Sequence, residues 1–191
     1  MKIIGVTGKS GSGKTTLSIK LSEQLNCSYI SIDKIGHQAT NEPHITEILC
    51  NKFGKDILDR DTKKINRKKL GDIVFSDKEK MDELTQITWS YMQERLDEIL
   101  KRKTEYIILE WALLPISKYW NQCDVKIIVQ SDDYERKQRV IERDHISEEY
   151  FIKRDSNSMN YSEVKSDYIF NNDYKECTIE KMANIIIKNI K

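Results

Sequence analysis

Short apolar runs bounded by polar residues recur along the chain. Each has the length of a strand buried on both faces: Ile3–Thr7, Tyr29–Ile32, Tyr106–Leu109, Val125–Gln130 and Tyr168–Phe170. Between them the apolar spacing changes to that of helices. Lys14–Leu25 carries apolar residues at 17, 19, 21 and 25, and Lys78–Lys103 is long, with Ser76 and Asp77 as candidate caps. Asp132–Asp144 and Glu176–Ile190 are two more helical stretches. Strands alternating with helices predict right-handed crossovers and a three-layer α/β domain on a parallel five-stranded sheet. Two stretches interrupt the alternation: 37–103, mostly helical, and 132–165, rich in charge. In α/β domains such excursions leave from the C-terminal ends of strands, where ligands bind. The core is then expected from 1–36, 104–131 and 166–191.

The length, 191 residues, suits one domain with a substantial core. Charged residues make up 33% of the chain but cancel to +1, which gives no general electrostatic case for nucleic acid or a membrane surface. No apolar run reaches the length of a membrane span, and the opening MKIIGVTG reads as a strand rather than a signal peptide. Cys27, Cys50, Cys123 and Cys177 are scattered, so reduced, buried or half-buried thiols in a cytoplasmic protein are expected. His37, His44 and His145 lack metal-ligand spacing.

Four of the seven glycines fall at 5, 8, 11 and 13, from within the first predicted strand into the stretch that follows it. Gly8-Lys9-Ser10-Gly11-Ser12-Gly13-Lys14-Thr15 fits G-x-x-x-x-G-K-(S/T) at every position, with a strand before it and an amphipathic helix after it. Such a loop turns successive backbone N–H groups inward as an anion nest at the positive end of the following helix. Lys14 is expected on the β- and γ-phosphates of a nucleoside triphosphate. Thr15 is expected on Mg2+, with Gly8, Ser10, Gly11, Ser12, Gly13 and Thr16 around the phosphates.

Two carboxylates stand at strand ends. Asp33 closes the second strand, where it can accept a proton from a substrate hydroxyl aligned with the γ-phosphate or serve as an ordinary helix cap. Glu110 closes YIILE, where it can hold a magnesium water or be a charged residue just past a strand.

The order of segments resembles the dephospho-CoA kinases. The matching pieces are MKIIGVTGKSGSGKTT, IDKIGH (32–37), FGKDIL (53–58), INRKKLGDIVFSD (65–77), the LLP-containing segment after YIILE, VIERDHISEE (140–149) and DYIFNN (167–172). The resemblance implies a P-loop kinase fold with a helical acceptor-binding insertion and a lid, and phosphorylation of the ribose 3′-hydroxyl of dephospho-CoA by ATP with Mg2+. It makes Asp33 the general base, sets His37, Arg67 and Glu110 on the acceptor side, makes Arg139 and Arg143 lid arginines for the phosphates, and sets Asn172 by the adenine. It also implies small-molecule substrates only and a monomer or weak oligomer. The chain departs from the family at Trp89-Ser90, where His-Pro is usual, and at Glu110-Trp111-Ala112, which lacks a proline. It also departs at Ser158, where glutamine is usual, and at Asn171-Asn172-Asp173-Tyr174, which lacks a glycine. The alternatives are a kinase of another nucleoside-like or nucleotide-like acceptor, and a nucleotide-binding regulatory protein without transfer.

Overall fold

The computed structural model describes residues 1–75, 77–102 and 104–190. In chain order its main elements are β1 (Lys2–Thr7), α1 (Lys14–Leu25), β2 (Ser28–Ser31), α2 (Ile32–Ala39), α3 (Pro43–Phe53), α4 (Arg67–Val74) and α5 (Lys78–Leu100). They continue with β3 (Tyr106–Glu110), β4 (Val125–Ser131), α6 (Asp133–Asp144), α7 (Glu148–Asp155), β5 (Tyr168–Asn172) and α8 (Glu176–Ile190). The chain divides into two compact units, Met1–Ser31 with Lys103–Lys191, and Ile32–Arg102.

In the first unit the strands form one parallel sheet in the order β2-β3-β1-β4-β5, the five-stranded sheet the alternation predicts. The central position of β1 explains its unbroken apolar run, because both of its faces are covered. On one side α1 and α8 pack over Ile4, Val6, Ile108, Ile127 and Val129 with Leu17, Leu21, Ala183 and Ile186, all fully buried. Leu17 and Leu21 lie one turn apart, and burying each contributes about 2 kcal/mol.

The sheet order also explains where the predicted strands differ. β2 and β5 are edges, so they are half-exposed rather than buried. β2 stops at Ser31, and Ile32 already belongs to α2, so Asp33 sits in a helix's first turn rather than at a strand end. β3 runs on through Glu110, which is in register with Val6 and Ser31. All four cysteines are free, and Cys177 is exposed rather than buried.

The second unit is helical. Ile35 and Ala39 of α2, Ile45 and Leu49 of α3, and Leu70 and Val74 of α4 are buried, and all three helices pack against α5, which buries Met92 and Leu96. Tyr91 Oη donates to Glu42 at 2.9 Å and Lys52 pairs with Glu83 at 2.6 Å, fastening α5 to α3 and its entry. Caps set the starts: Asn66 accepts from the Lys69 N–H, and Asp77 from the N–H groups of Glu79 and Lys80. Ser76 and Lys103 lie outside the described residues, and α5 ends at Leu100. Asp132 is the cap of α6 rather than its first residue. Among the described residues no helix is long and apolar enough to cross a membrane.

Candidate active site

The glycine-rich loop runs from the C-terminal end of β1 into α1. Gly13 caps α1 at φ +99°, and a Cβ there would stand 2.2 Å from Asn172 Nδ2. Glycine is therefore favoured twice over, for the left-handed backbone and for the close approach of the Asn172 side chain. Lys14 is 7% exposed and folds back along the loop, donating to the Lys9 carbonyl at 3.1 Å. Its ammonium also lies 3.7 Å from Glu110 Oε1.

The carbonyls of the loop are engaged from outside. Ser10 O accepts from Arg136 Nη1 at 3.2 Å, Gly11 O from Tyr174 Oη at 3.1 Å, and Ser12 O from Asn172 Nδ2 at 2.9 Å. Carbonyls held in this way fit an anion nest formed by the loop's other N–H groups; the Ser12 N–H itself donates to the Lys9 carbonyl at 3.2 Å. Ser12 Oγ is buried and meets no hydrogen-bond partner among the described residues. A positive helix end, a lysine and an unsatisfied hydroxyl around one loop suit a polyphosphate.

Glu110 is 3% exposed at the end of β3. It accepts from Tyr29 Oη at 2.9 Å and Thr15 Oγ1 at 3.3 Å and faces Lys14, so it is no solvated residue beyond a strand. Burial first, then the Glu110 charge and hydrogen bond, push the Tyr29 hydroxyl up to about 12, so it remains a donor. Thr15 and Glu110 together present a hydroxyl and a carboxylate, hard oxygens of the kind magnesium takes, and so the pair fits that ion.

The lid arginines separate. Arg139 is exposed and its guanidinium lies 4.2 Å from the Tyr174 ring centroid. Gly13, Thr16, Arg139, Asn172 and Tyr174 border a recess of about 350 Å³. Arg143 is exposed and grips Asp144 through Nε at 2.7 Å and Nη2 at 3.0 Å. Arg154 takes the same carboxylate at 2.9 Å and reaches Ser10 Oγ at 3.4 Å. Asn172 is 4% exposed, and its amide spans Ser12 O and the Tyr174 N–H, so both of its ends are held by protein.

Sequence reasoning did not single out Tyr29, Arg136, Arg154 or Tyr174. The Asp133–Arg136 spacing is that of an ordinary i,i+3 surface pair, and nothing local announces the burial of Arg136. Tyr29 becomes meaningful only once β2 is in register with β3.

In the second unit Asp33 and His37 share α2, and Arg67 opens α4. All three are exposed, as are Lys68 and Lys69, whereas Leu70 is buried. His37 keeps much of its surface in solvent, yet packing around the imidazole, and secondarily the Arg67 charge, hold its pKa below the ordinary histidine value.

The family model for dephospho-CoA kinase matches residues 2–177. The dephospho-CoA kinase of Aquifex aeolicus (strain VF5) is 36% identical over 177 residues, covering 90% of this chain and 89% of its own. That of Leptospira interrogans serogroup Icterohaemorrhagiae serovar Lai (strain 56601) is 32% identical over 176 residues, covering 89% and 84%. Among solved structures, the dephospho-CoA kinase from Campylobacter jejuni superposes with a TM-score of 0.63 at 26% identity over 100% of this chain and 97% of the other. A shikimate kinase from Bacteroides thetaiotaomicron (TM-score 0.56, 15% identity, 99% and 98% covered) shares the fold. With the phosphate loop, its lysine and the buried strand-end carboxylate all in place, the match over nearly the whole length means that this chain belongs to the dephospho-CoA kinase family.

Proposed function

We propose that this protein transfers the γ-phosphoryl group of ATP to the ribose 3′-hydroxyl of dephospho-CoA, giving coenzyme A. The observation that carries the reading is the Lys14–Glu110–Thr15 cluster under an intact phosphate loop, in a chain of this family. The loop's N–H groups and Lys14 cradle the β- and γ-phosphates, so that little reorganisation is needed as charge shifts during transfer. Thr15 and Glu110 would hold magnesium, which would neutralise phosphate charge. Tyr29 keeps the Glu110 carboxylate aimed by donating to the oxygen that Thr15 also meets. Asp33 takes the proton from the attacking 3′-hydroxyl. Arg139 and Arg143, with Arg154, supply positive charge as residues 132–165 close, which also excludes water as a competing acceptor. Asn172 acts on the nucleotide through the loop carbonyl it holds.

The segment 37–103 forms the acceptor side, with His37 and Arg67 toward the acceptor's phosphates. A guanidinium fork suits a pyrophosphate better than a lysine does. Replacing Arg67 by alanine is expected to raise the acceptor KM about tenfold or more, a loss of about 1.4 kcal/mol, with the ATP KM little changed. Steady-state kinetics with each substrate varied checks this. An equal effect of Lys68→Ala counts against a specific contact.

The reaction itself is tested by incubating the purified protein with ATP, Mg2+ and dephospho-CoA and assaying for coenzyme A, with nucleosides and nucleotides as rival acceptors. Phosphorylation of a rival and not of dephospho-CoA overturns the acceptor assignment, and attention then moves to Trp89-Ser90. ATP binding without transfer to any acceptor favours the regulatory reading instead. We also infer a monomer or weak oligomer, as the family resemblance implies, and the dependence on ATP supports a cytoplasmic location.

A further inference from the structure

Arg136 is 2% exposed in a helix whose composition is that of a solvated surface. A buried guanidinium is costly unless every donor is met. Here each nitrogen is. Nε and Nη2 donate to Asp133 Oδ1 at 3.1 and 2.8 Å, Nη1 and Nη2 donate to the two oxygens of Asp155 at 2.7 and 2.8 Å, and Nη1 also reaches Ser10 O at 3.2 Å. The Phe151 ring lies 5.3 Å from its carbon. The two carboxylates outweigh the arginine's single charge, so the cluster offers no positive field to the nucleotide site. What remains distinctive is its grip on the loop. Gly11, at φ +84°, lies against the same helix, where a Cβ would meet Val140 Cγ2 and Arg136. The next carbonyl along is taken by Tyr174, itself in the left-handed region at φ +60°.

We propose that Arg136 and Tyr174 are positioning residues for phosphate binding, pinning the Ser10 and Gly11 carbonyls outward so that the loop presents its N–H groups inward before ATP arrives. The inference rests on the reading of this loop as the ATP site. It makes the first turns of α6 part of the phosphate loop's foundation. Any movement of the segment 132–165 then hinges beyond Arg136, because its fork fastens α6, α7 and the loop at one point.

Two variants test it by direct ATP titration in a calorimeter, which needs no acceptor. Tyr174→Phe keeps the ring under Arg139 and removes only the hydroxyl. The double variant Arg136→Met with Asp155→Leu replaces the buried pair by apolar side chains of similar bulk, a change buried ion pairs commonly tolerate. Loss of a hydrogen bond from a charged donor is expected to weaken ATP binding by about tenfold or more in the double variant, and loss of a neutral one by about threefold to tenfold in Tyr174→Phe. The acceptor KM is expected to stay within about twofold, because the affected carbonyls lie in the loop, and a merely structural role moves the melting temperature and leaves nucleotide affinity alone. Wild-type affinity for ATP in Tyr174→Phe and in a folded double variant overturns the inference. Failure of the wild-type protein itself to bind ATP overturns the underlying assignment instead.

Discussion

Replacing Lys14 by alanine is expected to reduce kcat/KM for ATP by about 10²-fold to 10³-fold, the scale of losing one preorganised charge at a phosphoryl site. The side chain is almost wholly buried and already directed along the loop. It therefore meets the β- and γ-phosphates without first being ordered, and an ammonium in a partly dehydrated site is worth far more than in water. The substitution has a second consequence. Glu110 keeps Tyr29 and Thr15 as donors but loses its cation, so a buried carboxylate is left with less compensation. Thermal melting measured beside the kinetics separates the two effects. A folded variant with activity within a few-fold of wild type overturns the assignment of the loop.

Asp33→Asn is expected to lower kcat by about 10²-fold or more while leaving ATP affinity nearly intact, which is the signature of a lost general base. Asparagine keeps the shape and the helix position but cannot take the proton. The carboxylate lies in the first turn of α2, where an acid also interacts favourably with the helix dipole, so a small loss of stability accompanies the kinetic one. Pre-steady-state and steady-state rates, together with an ATP titration, decide the matter. Should ATP binding fall with kcat, Asp33 serves structure or metal, and another group must accept the hydroxyl proton.

Much of this was legible in the sequence because its signals are local. The run around Gly8–Thr15 carries its own geometry, and the apolar strands announce a parallel core because β1, β3 and β4 are covered on both faces. The edges were harder: Tyr29 and Phe170 look like core residues in the sequence, yet they lie in half-exposed strands, since sheet order is not written in any single segment. The strand-to-helix junction moved for a similar reason. Ile32 is apolar enough for either state, and its burial in α2 decides it. The least legible residues were those defined by distant partners. Arg136 depends on Asp155 and Ser10, Tyr174 on Gly11, and Tyr29 on Glu110. Each looked like an ordinary surface or strand residue until folding brought its partner to it.

The placement of β1 in the middle of the sheet bears on how the protein is made. The strand is synthesised before its neighbours, since β3 and β4 follow only after all of the helical unit Ile32–Arg102. Until then Ile3, Ile4 and Val6 have no ladder to join, and an unpaired apolar strand is the kind of segment that finds wrong partners. The helical unit is continuous in sequence, so all of its own packing partners are made before β3 and β4 appear. Completion comes later still, with α8, the last helix described, whose Ile179, Met182, Ala183 and Ile186 close the hydrophobic cluster over Ile4 and Val6. Between the synthesis of β1 and that of β3 and β4 the nascent chain is thus exposed to aggregation, at the strand that leads into the phosphate loop.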